Sequence, residues 1–248
     1  MSGCGDYLAP AGITFEERGY TVHIPTLRHH ELPLDEGAAK IASLSLRDYV
    51  DDLVELVDSL DSPPLLVGHS MGGLLAQLVA ARTRHAGVVA ACTSPAGISA
   101  ISPMLLRLGM RHFLQSRPWA KPVYPLTWKQ FRKSTANAQT EEHARELFAG
   151  LVCDSGRVMC EVGFSWLDRN KAATVNYSAI TTPMLVIAGE CDRILLPRMA
   201  RQTAAHYQQA AYVEIPRSDH MVFSGEALPV TMSHIDNWIA RNYALTTS

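Results

Sequence analysis

The sequence predicts an α/β protein: a mostly parallel, doubly wound sheet with helices on both faces and a helical segment inserted into it. Three observations carry that reading. Short buried apolar runs alternate with helical patterns, the signature of strand–helix–strand crossovers and a parallel sheet. One of those runs, Leu65-Leu66-Val67, passes through Gly68-His69-Ser70-Met71-Gly72-Gly73 straight into a small-residue helix. The alternation then stops after position 93 for about eighty residues, too long for a simple connection.

Taken in chain order, Leu46, Val50, Leu53, Val54, Val57 and Leu60 recur at helical spacing with Asp51, Asp52, Glu55 and Asp58 opposite, so this stretch is an amphipathic helix laid on the sheet. Residues 64–68 read as a buried strand and 71–82 as the helix after it. Residues 87–93 form the next buried strand. Residues 94–177 break the rhythm and read as a helical cap, with helices expected over 104–115, 127–136, 141–152 and 156–169 around the proline-rich 117–125. Its apolar side chains, among them Leu105, Leu108, Phe113, Tyr124, Trp128 and Phe164, are expected mostly to pack the cap, with a minority lining a pocket. His112, His143, Arg107 and Arg111 read as solvated helix faces. Buried strands return at 184–189 and 211–216, and Leu228, Met232, Ile235 and Ile239 mark a closing helix. The core is thus expected over 1–93 and 178–248, with the cap over 94–177.

Composition agrees with one compact domain. A chain of 248 residues with 47% apolar content has ample material for a core, and a net charge of −2 argues against a nucleic-acid surface. The cysteines Cys4, Cys92, Cys153, Cys160 and Cys191 follow neither a disulfide nor a metal spacing, and their odd number fits a reducing compartment. Cys191 is expected to be a small core residue. No apolar run reaches the roughly eighteen residues of a membrane span, and no signal-peptide pattern opens the chain. A cytoplasmic protein without stable membrane insertion is expected, with no metal and no cofactor.

The chemistry centres on Ser70. In G-x-S-x-G after a strand and before a helix, the turn is tight enough to require small residues at Gly68 and Gly72, and it pushes the serine hydroxyl outward. The plain alternative is a strand-to-helix turn with a capping serine. A serine is a poor nucleophile unaided, so the reading requires a base and a group to orient that base. With this elbow the order is serine, acid, histidine, each on a loop after a strand. Asp192 follows the 184–189 strand and His220 follows the 211–216 strand. Glu190 and Asp219 are rival acids, Glu190 too close to the strand end and Asp219 adjacent to the base itself, and an acid after the Val88 to Ala91 run is the third alternative.

On these motifs the sequence resembles the α/β-hydrolase family from about Gly19 to Ala240. The resemblance rests on Gly68-His69-Ser70-Met71-Gly72-Gly73, on the proline, apolar strand, glycine and aspartate of residues 183–192, and on His220. It also implies a strand over 19–25, with the following loop structural and His29 and His30 solvated, and a helix over 6–18. The family places further strands before this point, the last ending in a His-Gly pair whose loop gives half of the oxyanion hole. Three arrangements fit their absence here: a longer chain beginning upstream, a sheet that has lost a strand between the Tyr20 and Leu65 segments, or closure of those two segments onto each other. The oxyanion N–H groups implied are those of Met71 and of the segment near Met1.

The expected activity is hydrolysis of an uncharged, apolar carboxylic ester by a Ser-His-Asp acyl-enzyme route, with a small-molecule ester as partner. A non-catalytic, hydrolase-like ligand-binding protein or receptor is the rival reading, as is a shortened inactive form. The weakness of the second oxyanion donor motivates both.

Overall fold

The computed structural model describes residues 5–93 and 102–243. Three helices, α1 (Ala9–Glu16), α2 (Leu34–Ile41) and α3 (Leu46–Asp58), precede the first strand, β1 (Leu65–His69). Next come α4 (Met71–Ala80) and β2 (Gly87–Ala91). The stretch predicted as a cap holds α5 (Pro103–Phe113), β3 (Pro122–Val123), α6 (Trp128–Ser134), α7 (Glu141–Ala149), β4 (Asp154–Ser155) and α8 (Gly156–Gly163). The chain then completes β5 (Met184–Gly189), α9 (Pro197–Ala204), β6 (Ala210–Ile215) and α10 (Ala227–Tyr243).

The main sheet runs β1–β2–β5–β6 and every pairing in it is parallel. Alternate side chains serve opposite faces. Val88, Ala90, Met184 and Val186 pack with Leu46, Leu74 and Ala200 of α3, α4 and α9, while Val89, Leu185 and Ile187 pack with Phe15, Met232 and Trp238 of α1 and α10. Both faces are therefore covered, which is why these strands read as unbroken apolar runs. The register sets His69 beside Ala91, Ala91 beside Ile187 and Ile187 beside Val213, so the loops that follow β1, β5 and β6 all leave from one edge.

One expected strand does not form. Residues 20–27 take no regular secondary structure and belong to no sheet, and β1 has no neighbour on its outer side among the described residues. The segment lies instead against α1, where Gly12 leaves room for Ile24. A strand needs a partner ladder for its backbone groups, and here a cleft separates the two candidates: Thr21, Val22 and Ile24 line one wall, Leu65 and Val67 another. Of the arrangements open at the sequence level, closure of these two segments onto each other is the one this geometry contradicts. The gap also explains α3, whose Leu53 and Val57 are only half-buried and face the same cleft, as does Leu60 just beyond it.

Other corrections concern single residues. His30 is buried rather than solvated, with its ring edge-on to Tyr49 and its Nε2 3.9 Å from an Asp154 carboxylate oxygen. His112 is likewise buried, its ring edge-on to Phe113. His143 bridges Glu146 and Ser224. Cys191 is exposed, because the loop turns its side chain outward while its N–H donates to Ser218 O at 2.7 Å.

Candidate active site

Ser70 stands between β1 and α4 with φ 55° and ψ −120°, a backbone conformation that L residues rarely adopt and that tends to persist at functional turns. Sequence explains how the chain tolerates it. A Cβ on Gly68 would overlap the carbonyl of Gly72, and one on Gly73 would crowd Thr93. Gly72 differs from the expectation: a Cβ there meets nothing within 4 Å, so its smallness leaves open space beside the serine rather than relieving a clash.

His220 and Asp192 meet as their positions after β6 and β5 predict. His220 Nδ1 and Asp192 Oδ2 lie 2.7 Å apart, both residues buried. The other carboxylate oxygen of Asp192 accepts from the N–H groups of Ile194 at 2.8 Å and Leu195 at 3.0 Å, which fixes the carboxylate toward the imidazole. The rivals are engaged elsewhere. Glu190 is exposed and accepts from Arg217 N at 2.7 Å. Asp219 is fully buried and accepts from Ala138 N, Gln139 Nε2 and Met221 N at 2.7, 2.9 and 3.0 Å. Asp219 thus ties the His220 loop to the 136–139 turn, a positioning role that its adjacency to His220 did not suggest.

Ser70 and His220 line one cleft of roughly 2140 Å³ together with Met71, and the His220 ring lies 4.8 Å from the ring of His69, the residue before the serine, the two planes tilted by 55°. Among the described residues no hydrogen bond joins Ser70 to His220, and such bonds are often long before a substrate is bound. His69 itself is a structural find: its Nε2 donates to the carbonyl of His220 at 2.7 Å and its Nδ1 accepts from Tyr7 Oη at 3.3 Å. Burial, and after it the adjoining His220, push its pKa well below the ordinary imidazole value, so the ring is neutral and the tautomer carrying Nε2–H satisfies both contacts.

Of the oxyanion donors, Met71 begins α4, where first-turn N–H groups have no intrahelical acceptor. Met1 lies outside the described residues. His69, Cys92 and His220 offer ligand atoms within 4.8 Å of one another, the one such metal-capable grouping among the described residues. Both nitrogens of His69 and one of His220 are already hydrogen-bonded, however, so the geometry reads as a packed polar cluster.

The expected cap side chains divide as the sequence suggests. Leu105, Leu108 and Tyr124 line the cleft. The rest include two ring clusters, Trp128–Phe131–Phe148 and Phe113–Phe164–Trp166.

Several solved structures share this fold. A pyrethroid hydrolase from Sphingobium faniae JZ-2 superposes with a TM-score of 0.70 at 19% identity, covering 96% of this chain and 94% of that one. A thermophilic esterase from Thermogutta terrifontis gives 0.68 at 18%, covering 96% and 86%, and a monoacylglycerol lipase from Paleococcus ferrophilus gives 0.61 at 19%, covering 81% and 77%. No similar sequence is found among curated proteins. The sequence pattern of the alpha/beta hydrolase family matches residues 6–228, and with the strand order and the strained serine turn already described, the chain belongs to that family.

Proposed function

We propose that this protein is a serine hydrolase acting on uncharged, apolar carboxylic esters. The observation that carries the reading is the buried His220–Asp192 hydrogen bond at 2.7 Å, opening on the cleft that holds the strained Ser70. With Nδ1–H donated to Asp192, the Nε2 of His220 is left as acceptor for the serine proton. Ser70 Oγ then attacks the ester carbonyl, and the N–H of Met71 receives the developing oxyanion. His220 returns the proton to the departing alcohol. Water, deprotonated by the same nitrogen, releases the acid and restores the serine. Residues 94–177 act as the lid, with Leu105, Leu108 and Tyr124 supplying apolar lining for the acyl or alcohol portion. The ester class is favoured because similar folds occur in a pyrethroid hydrolase, a monoacylglycerol lipase and an esterase.

The test pairs a fluorophosphonate probe with nitrophenyl esters of short and medium chain length. Wild type is expected to label and to turn over, Ser70→Ala to do neither, and Asp192→Asn to keep the fold while losing about four orders of magnitude in kcat. A wild-type protein that neither labels nor turns over, yet binds an apolar ligand in the cleft, overturns the catalytic reading in favour of a non-catalytic binding protein.

A further inference from the structure

The net charge of −2 conceals a strong segregation. From Ser62 to Thr140 the chain contains nine Lys and Arg residues and not one Asp or Glu. The described part of this stretch includes α5, whose Leu106 and Met110, with Leu114 at its C-cap, follow one another at intervals of four and so form a single stripe. These side chains are exposed, Leu114 to 79%. Arg107 and Arg111 flank the stripe one position on, and Arg117 and Lys121 follow just beyond the helix around the half-exposed Trp119. Among the described residues none of these four cations takes part in an ion pair. The neighbouring 164–167 turn extends the patch. Phe164 packs on Phe113 at 4.7 Å, and Trp166 and Leu167 are 58% and 70% exposed. The nearest acid there, Asp168, is turned to the N–H groups of Asn170 and Ala172.

Large apolar side chains exposed side by side, rather than singly, are unfavourable in water and point to an interaction site. Its rim decides the partner. A nucleic acid would engage the cations but leave leucine, methionine and tryptophan in water. A second copy of the same face would set unpaired cations against cations. An anionic lipid surface satisfies both parts: acyl chains receive the stripe, headgroups receive the arginines and lysines, and tryptophan sits at the boundary.

We propose that the face formed by α5 and the 114–121 turn docks on anionic lipid bilayers. It lies flat on the surface without spanning, consistent with the finding that no described helix is long and apolar enough to cross a membrane. α5 also lines the cleft, through Leu105 and Leu108 and through Arg107 and Arg111 themselves, so the lipid face adjoins the cleft that holds Ser70. Docking does not depend on the hydrolase reading, because its readout is binding.

Flotation with vesicles of phosphatidylcholine alone, and of phosphatidylcholine and phosphatidylglycerol in equal parts, tests it. Wild type is expected to float with the mixed vesicles, less so in high salt, and to stay in solution with the neutral ones. The double variant Leu114→Ser/Trp119→Ser should lose at least about tenfold in partitioning while keeping its melting temperature, since both side chains are exposed. Arg117→Glu/Lys121→Glu should lose binding to mixed vesicles by a similar factor and remove most of the salt dependence. Failure to float with mixed vesicles, or equal flotation with neutral ones, overturns the proposal. So does a concentration-dependent dimer, seen by light scattering and abolished by Leu114→Ser, in a protein that ignores both vesicle types.

Discussion

Asp219 shows how much a residue beside the proposed base, His220, can do without touching its chemistry. Its buried carboxylate accepts three hydrogen bonds, two of them from the 138–139 turn, so Asp219→Ala leaves three donors without their acceptor. We expect a loss of about 3 kcal/mol in urea unfolding, with Asp219→Asn less severe, and a smaller effect on kcat than that of Asp192→Asn. His69 adds a pH dependence with a definite sign. Its folded-state pKa lies well below the ordinary imidazole value that holds in the unfolded chain, so between the two the unfolded state binds more protons. Stability from this residue is complete above the ordinary value and is lost as pH falls toward the depressed one. The urea midpoint should therefore fall from neutral pH to about pH 5, and His69→Asn should flatten that part of the profile. The sequence exposed Ser70, Asp192 and His220 because each follows a strand recognisable by its apolar run. It did not expose His69 or Asp219 as positioning residues, because their roles depend on Tyr7 and the 138–139 turn, distant in sequence. Nor could the motif separate Gly68, which a Cβ would jam against Gly72, from Gly72, beside which there is room.

At the scale of elements, strands were the most legible part. β5 spans the six residues its apolar run marks, and β1, β2 and β6 fall within a residue or two of expectation. The failure at 20–27 is instructive because the segment has strand-like residues but no ladder to join. Strand identity is a property of a pair, and a single run of sequence cannot show that its partner is missing. The same gap leaves β1 as an edge with a testable asymmetry. Ser70 N donates to Ala91 O and Ala86 N to Pro64 O, so in the alternating ladder the N–H groups of Leu66 and Gly68 face β2, while those of Leu65 and Val67 face the cleft. In native-state hydrogen exchange the amides of Leu65 and Val67 should exchange much faster than those of Leu66 and Gly68, whereas in β5, paired on both sides, neighbouring amides should show no such alternation. Uniform protection along β1 would show that its outer edge is covered in solution.

Across the whole molecule, the question is whether the stretch between β2 and β5 folds with the sheet or apart from it. Its helical character was readable, although α8 ends at Gly163 rather than at 169, but its attachment was not, because buried polar contacts between distant residues leave no periodic trace. Glu161 is the clearest of these. Buried on α8, it accepts from Ser45 Oγ and Leu46 N at 2.7 Å each, at the N-terminus of α3, and pairs with Arg157 at 2.9 Å. Ser155 Oγ reinforces the seam by donating to Leu44 O at 2.6 Å, and the Asp219 contacts close it from the other side. Bonds of this kind couple two parts of a fold, since breaking the seam leaves a buried charge and several donors unsatisfied. The wild-type protein should therefore unfold in one transition. Of the four tryptophans, Trp119, Trp128 and Trp166 lie in this stretch and only Trp238 in the core, so in a Trp238→Phe background fluorescence follows the insertion while far-UV circular dichroism follows the whole chain. The two curves should coincide with Glu161 present. With Glu161→Ala the seam loses about 3 kcal/mol, and the fluorescence transition should move to lower urea ahead of the circular dichroism. Coincident curves in that variant would mean that apolar packing alone, through Val158 against the α3–α4 side of the core, holds the two parts together.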